Sequence, residues 1–105
     1  MATVYIAGPM TGLPDFNYPA FHRAAHQLRR AGFDVLNPAE NPKPNDNPTW
    51  LDWMRVAIGQ LIQADAVALL PGWDLSRGAM TEYELACRLG LDVGTVPELL
   101  RTAKP

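Results

Sequence analysis

The sequence has only one cysteine, Cys87, which excludes an intrachain disulfide bond and a zinc site built from several cysteines. A reducing compartment is the simpler expectation for such a chain. The first residues, MATVYIAGPM, lack the charged leader and the long apolar run of a signal peptide, and no later apolar run is long enough to span a bilayer. We therefore expect a soluble protein of the cytoplasm that does not bind a membrane.

An excess of charge of one sign is also missing. Nine basic residues stand against 11 acidic ones, the formal net charge is −2, and neither sign forms a block. This balance argues against a basic groove for a nucleic acid polymer. With 105 residues, 48% of them hydrophobic, the chain can form one core and is too short for two ordinary domains, so we expect a single domain over residues 1–105.

What the sequence does contain is an alternation of strand and helix patterns without an internal repeat. Short, β-rich apolar segments are separated by amphipathic segments, which is typical of a parallel sheet with helices on both faces. We therefore predict a three-layer α/β fold with right-handed crossovers. If the strand order is 2-1-3-4, the loops GPMTG and PGWDLSRG are neighbours at the carboxyl ends of the strands, where ligands bind in this architecture.

The helix patterns predict which faces are buried. The first helix, with Asn17 as a candidate cap, would bury Phe21, Ala24, Ala25 and Leu28. The second would begin with a capping box of Thr49 and Asp52 and would bury the stripe Leu51, Met54, Ile58, Leu61 and Ile62. Before it lies a long loop rich in proline and asparagine, residues 38–49, for which a lid, a contact surface and a simply mobile segment remain open.

Two glutamates stand close together on the third predicted helix, from about Ala79 to Leu89. Glu84 lies four residues before Arg88, the spacing of an exposed ion pair. Glu82 instead belongs to the stripe Ala79, Glu82, Ala86 and Leu89 that would lie against the sheet. A purely structural role near a helix N-terminus is open, but burial of a carboxylate is costly unless it is hydrogen-bonded. Glu82 is therefore a candidate functional carboxylate.

Other candidates surround the two loops. Gly8, Pro9 and Gly12 form either an ordinary turn or one that lets backbone N–H groups approach a ligand, and the motif is weak. Tyr5, close to that turn, is expected to pack and to find one hydrogen-bond partner. Ser76 suits either the cap of the third helix or, with its N-terminal amides, a phosphate site.

Metal binding is not expected from the histidines, and the tryptophans have a simple explanation. His22 and His26 have zinc-like spacing but no glutamate between them in the H-E-x-x-H sense and no evident third ligand. Trp50 and Trp53 are best explained by core packing or by a subunit interface.

Three segments resemble a known family. VYIAGPMTG, ADAVALLPGW and SRGAMTEYELACRLGL are similar, in that order, to segments of the nucleoside 2-deoxyribosyltransferase family, especially its small single-domain branch, and of the related 2′-deoxynucleoside 5′-phosphate N-hydrolases. The resemblance covers roughly residues 3–93. It implies a flavodoxin-like or Rossmann-like sheet, a small-molecule nucleoside or nucleotide as partner, no cofactor or metal, and a homodimer or higher homo-oligomer.

The resemblance also implies roles for single residues. The family glutamate that attacks the sugar C1′ follows a glycine by four residues, as Glu82 follows Gly78. Tyr5 matches a tyrosine that orients this carboxylate, and Ser76 matches a position that contacts the sugar or its 5′-phosphate. The loop containing Gly8, which also holds Pro9, Met10 and Gly12, would help to enclose the sugar, with Gly78 and Asp74 also near the substrate.

One departure from the family pattern concerns the acid. An aspartate is common where this chain has Ala57, and leaving-group activation usually needs a second acid or base. Either Asp74, Asp15 or a residue of a partner chain substitutes, or the protein binds nucleotides with little or no turnover. The main hypothesis is cleavage or transfer at an N-glycosidic bond, and the alternatives are a catalytically weak nucleotide-binding protein and a hydrolase of another N-ribosyl compound.

Overall fold

A computed structural model of the chain describes residues 2–103. Within them, four strands alternate with four α-helices and form one sheet of order β2-β1-β3-β4, in which every pairing is parallel. The predicted three-layer α/β fold and its strand order are therefore confirmed. The strands are β1 (Thr3–Ala7), β2 (Asp34–Leu36), β3 (Ala66–Leu69) and β4 (Asp92–Thr95), and the helices are α1 (Tyr18–Arg30), α2 (Trp50–Leu61), α3 (Arg77–Arg88) and α4 (Val96–Thr102).

The two central strands divide the core into two layers. Side chains of a strand alternate between the faces of its sheet, so Val4 and Ile6 pack with α1 and α4, whereas Tyr5 and Ala7 face α2 and α3. The face of α1 predicted from periodicity, with Phe21 at its start, is buried in the first layer. This alternation alone decides that Tyr5 points toward the layer that contains α3.

Side-chain caps fix where three of the helices begin. Thr49 and Asp52 form the predicted capping box of α2, Thr95 and Glu98 form another on α4, and Ser76 Oγ accepts from the N–H of Ala79 at the start of α3. The helix α3 begins at Arg77, two residues before the predicted position. Asn17 precedes α1 but does not cap it through its side chain, because the backbone there is left-handed and the amide is committed elsewhere.

The predicted buried stripe of α2 is wrong in part. Leu51 and Ile62 are 56% and 58% exposed, whereas Ala57 and Leu61 are buried and Met54 and Ile58 are half-buried. The helix is rotated about its axis relative to the prediction because its small residue, Ala57, faces inward. Large apolar side chains mark the expected face of a helix, but a small one allows a closer approach to its neighbours.

On α3 the prediction holds for three residues of the stripe and fails for the fourth. Ala79, Glu82 and Ala86 are buried, but Leu89 is 52% exposed because it is the C-cap residue, where the helix ends before Gly90. Glu84 is exposed as expected. No ion pair joins it to Arg88, since the one salt bridge among the described side chains is Arg29 with Glu40.

None of the helices within residues 2–103 is long and apolar enough to cross a membrane.

Gly8 provides a test of the packing at the end of β1. A Cβ atom at Gly8 would lie 2.7 Å from Leu70 Cβ, whereas one at Gly59, inside α2, would meet no atom within 4 Å. We expect Gly8→Ala to lower the free energy of unfolding by about 1–3 kcal/mol through overpacking. We expect Gly59→Ala, the matched control, to raise it by about 0.5–1 kcal/mol through helix propensity. Urea unfolding measures both, and an unaffected Gly8→Ala variant would contradict this packing.

Candidate active site

A cleft of about 930 Å³ opens at the carboxyl ends of β1 and β3. The loops that follow these two strands form two of its sides, because the strands are neighbours in the sheet. The start of α2 and the first turns of α3 complete the wall. The residues that line it include Tyr5, Gly8, Pro9, Met10, Tyr18, Asn41, Trp50, Trp53, Met54, Ala57, Ser76, Arg77, Gly78 and Glu82.

A hydrogen bond between the sheet and α3 lies at the base of the cleft. Tyr5 is fully buried, and its hydroxyl donates to Glu82 Oε2. Glu82 is 6% exposed and is the only acidic residue that lines the cleft within residues 2–103. Its second carboxyl oxygen has no hydrogen-bond partner in this part of the chain and is not sealed from solvent. That oxygen therefore faces the open cleft.

The surroundings of the pair shift both pKa values. Burial raises the pKa of Glu82 from 4.5 to about 7, although the hydrogen bond from Tyr5 opposes this by stabilising the carboxylate. Burial, and then the neighbouring carboxylate, raise the pKa of Tyr5 well above 10. Glu82 is therefore near the midpoint of its titration at neutral pH, and Tyr5 keeps its proton.

Close packing shapes the two loops beside this pair. Gly8 allows the chain to pass against Leu70, and Gly72 adopts a φ of +85°, which favours glycine, at a position where a Cβ would lie 3.3 Å from Pro9. The amide of Asn17 donates to the carbonyl oxygen of Pro9 at 3.0 Å. The first loop is thus held from both sides, with its backbone close to the cleft.

Four aromatic side chains line the cleft, Trp50 and Trp53 from α2 and Phe16 and Tyr18 from the segment where α1 begins. We refer to these four side chains as the aromatic wall. The guanidinium carbon of Arg77 lies 3.9 Å from the centre of the Trp50 ring, a cation–π contact between α3 and α2. Gly78 permits this approach, because a Cβ there would lie 3.3 Å from the sulfur of Met54. The two helices therefore meet through small residues and flat rings beside the site.

The long loop before α2 is tied to both neighbouring helices. It opens with one 3-10 turn, Pro38–Glu40, and Glu40 accepts two hydrogen bonds from Arg29 at 2.8 and 2.9 Å. Asn41 and Gln60 exchange a pair of amide hydrogen bonds, each of 2.8 Å. Because Asn41 lines the cleft, this amide pair fixes one edge of the opening against α2.

The structure brings most of the predicted site residues to this cleft. Tyr5, Gly8, Pro9, Met10, Ser76, Gly78 and Glu82 line it, whereas Gly12, Asp74 and Asp15 do not. The hydroxyl oxygen of Ser76 is used to cap α3, accepting from the N–H of Ala79 at 3.2 Å.

Sequence reasoning missed the aromatic wall and Asn41. Trp50, Trp53 and Ala57 lie at i, i+3 and i+7, so helical periodicity alone places them on one face of α2. The sequence contains that signal, but core packing or a subunit interface is the simpler interpretation of two tryptophans on one helix. Within the described range, no three His, Cys, Asp or Glu side chains come close enough to hold a metal ion.

Comparison with known proteins relates this fold to one class of enzyme. A 2-desoxiribosyltransferase from Leishmania mexicana matches the structure with a TM-score of 0.68 and 20% sequence identity. The match covers 90% of this chain and 63% of the other, so this chain spans less than two thirds of that enzyme. At this identity the likeness shows a common fold.

Sequence comparison is less specific about function. No curated protein matches the chain at a significant level. The family described as a domain of unknown function (DUF4406) matches residues 2–95, which is most of the sequence. The chain therefore belongs to the DUF4406 family.

Proposed function

We propose that this protein cleaves or transfers at the N-glycosidic bond of a nucleoside, a deoxynucleoside or a nucleoside 5′-monophosphate, with Glu82 as the nucleophile. The observation that carries the proposal is the buried Glu82, which is held by Tyr5 on one oxygen and is open to the cleft on the other. The fold that it shares with a 2-desoxiribosyltransferase supports the same class of reaction. The resemblance of Gly78 and Glu82 to the family spacing adds to it.

The reaction needs a carboxylate at the sugar. When the bond between C1′ and the base nitrogen breaks, positive charge develops on C1′ and the ring oxygen, and an adjacent carboxylate stabilises it. The free oxygen of Glu82 then forms an ester with C1′ while the base departs with the electron pair of the broken bond. Water, or the nitrogen of a second base, then attacks C1′, releases the carboxylate and loses a proton, which balances the proton that the departed base takes up.

Other lining groups suit a nucleoside in this position. Gly8, Pro9 and Met10 line the cleft, and their backbone would enclose the sugar. Ser76, which lines it at the start of α3, would contact the sugar or its 5′ substituent. The aromatic wall would stack on the base, since aromatic rings bind planar heterocycles without selecting one of them.

A second candidate function is nucleotide binding with little or no turnover. The observation that favours it is that Ala57 lines the cleft. The family that the sequence resembles commonly has an aspartate at this position, and a departing base usually needs such a second acid. Two measurements together distinguish the functions. This alternative predicts that calorimetry detects binding of a nucleoside monophosphate, while chromatography detects no free base after hours of incubation.

The first test of the proposed function concerns the nucleophile. Glu82→Gln keeps the volume of the side chain but removes its charge, so we expect release of base to fall at least about 10³-fold. Glu84→Gln is the matched control, since it is the same substitution on the exposed face two residues away and should leave the rate unchanged. Chromatography of the products measures both. Equal rates for Glu82→Gln and the wild type would refute the proposal.

The pH dependence of the reaction is a second prediction. Only the ionised carboxylate attacks, so kcat/KM should increase with pH up to a plateau, with a midpoint near 7, the pKa of Glu82. Tyr5→Phe removes the hydrogen bond that lowers this pKa, and we expect the midpoint to move upward by about one pH unit. A midpoint that stays in place in Tyr5→Phe would show that Tyr5 does not tune the nucleophile.

A third prediction concerns stability. Folding raises the pKa of Glu82, so the contribution of its protonated form to the free energy of unfolding is complete below about pH 4.5. This contribution is lost as pH increases through about 7. Glu82→Gln stays neutral and avoids this loss. We compare the free energy of unfolding of Glu82→Gln with that of the wild type at two pH values. The variant minus wild-type difference should be about 3 kcal/mol greater at pH 8 than at pH 4.

Urea unfolding at the two pH values checks this difference, with Glu84→Gln again as the control. Parallel pH profiles for Glu82→Gln and the wild type would mean that burial does not perturb this carboxyl group.

A further inference from the structure

Residues 2–103 supply the cleft with one carboxyl group, whereas bond cleavage of this kind normally uses two. The nucleophile must be ionised, and the departing base of an ordinary nucleoside must be protonated by a second group. Within residues 2–103, Glu82 is the only Asp, Glu or His side chain that lines the cleft. Asp15 and Asp74, the nearest candidates in the loops, are not part of its wall, and α2 offers the methyl group of Ala57.

The other polar groups of the wall are poor substitutes for an acid. They are hydroxyl, amide, indole and guanidinium groups, not the carboxyl or imidazole groups that usually act as acids. Tyr5 is the least suitable of them, since its hydroxyl donates to the nucleophile and its pKa is raised well above 10. None of the groups that line the cleft within residues 2–103 is therefore suited to protonate a departing base.

We propose that the cleft selects nucleosides whose base already carries a fixed positive charge, such as an N-ribosylpyridinium or an N7-alkylated purine nucleoside. This inference rests on the proposed function, and it names the substrate class for the same site. It follows from Glu82 being the single carboxylate of the wall within residues 2–103, and from Ala57 contributing only a methyl group to the same wall.

The electrons balance without an acid. The free oxygen of Glu82 forms a bond to C1′ as the bond from C1′ to the ring nitrogen breaks, and the electron pair of that bond neutralises the positive ring. The base leaves uncharged, and the carboxylate becomes a neutral ester. Water then adds to C1′, the carboxylate leaves, and one proton goes to solvent, so the products are the free sugar and the free base.

The wall also suits a flat cation. Trp53 and Tyr18 present aromatic surface to the cleft, whereas one face of Trp50 is covered by the guanidinium of Arg77 at 3.9 Å. A positive ring bound near Glu82 would favour the ionised carboxylate, which a pKa of about 7 leaves only partly formed in the free protein. The substrate itself would thereby help to ionise the nucleophile.

A panel of substrates tests the inference. The cationic members are the 2′-deoxyribosides of nicotinamide and of N7-methylguanine, and the neutral members are the four common deoxynucleosides, each also as the 5′-monophosphate. After subtraction of spontaneous decay, we expect kcat/KM for a cationic member to exceed that of every neutral member at least about 10²-fold, the contribution of an acid that the cleft lacks. N7-methyldeoxyguanosine and deoxyguanosine form the pair closest in shape.

A substitution at Ala57 separates the missing acid from the greater intrinsic reactivity of a cationic base. Ala57→Asp supplies a carboxyl group, and we expect it to raise kcat/KM for neutral nucleosides at least about 10-fold without a similar gain for cationic ones. Ala57→Asn is the control of matched size, so it reports the effect of size alone, and Ala57→Asp should exceed it at least about 10-fold on neutral nucleosides only. Circular dichroism checks that both variants fold, and the comparison on the wild type needs neither of them.

Each result supports or overturns the inference. Cleavage of neutral nucleosides within 10-fold of the cationic ones would overturn it and leave the proposed function standing. An equal response of Ala57→Asp and Ala57→Asn would overturn it as well, since the lack of an acid would then not decide the substrate. No release of base from any member would overturn both the inference and the proposed function.

Discussion

The hydrogen bond from Tyr5 to Glu82 is the contact on which the site depends. It joins the central strand β1 to the helix α3, and it satisfies one oxygen of a carboxyl group that the fold has removed from water. Without that donor, the buried carboxylate would have no partner from the described part of the chain. The same bond that makes burial tolerable engages only one oxygen, so the second oxygen of the carboxyl group remains free beside the cleft. Structure and proposed chemistry therefore use the two oxygens of one side chain for different purposes.

Burial of Glu82 has a cost that the rest of the domain must offset. A rise of the pKa of Glu82 from 4.5 to about 7 means that folding destabilises its anion by about 3 kcal/mol. The total free energy of unfolding of a small domain is typically only about 5–15 kcal/mol. The apolar layers on both sides of the sheet are anchored by side chains that are almost wholly buried, such as Ile6, Leu28 and Leu61. A site of this kind is consistent with the general finding that strain and unfavourable charge concentrate where function needs them.

Periodicity predicted much of this arrangement, and its failures have physical reasons. The alternation of patterns gave the three-layer fold, and the stripe on α3 identified Glu82 as the inward-facing carboxylate, because a strand and a helix each impose a fixed direction on successive side chains. The face of α2 could not be found in this way. Large apolar side chains dominate such a prediction, whereas the packing turned Ala57 inward and left Leu51 and Ile62 outside. The Asn41–Gln60 pair was also beyond reach, since the partners are 19 residues apart and nothing local joins them.

Small residues shape the surroundings of the cleft. Gly8 lets the first loop pass against Leu70, and Gly78 lets α3 approach Met54, so both glycines allow close packing beside the cleft. Ala57 lines the cleft itself and contributes only a methyl group to its wall. A carboxyl group at this position would be larger and could act as an acid. In the proposed reaction, the small side chain of Ala57 would therefore have two effects, since it leaves room beside the substrate and donates no proton to the departing base.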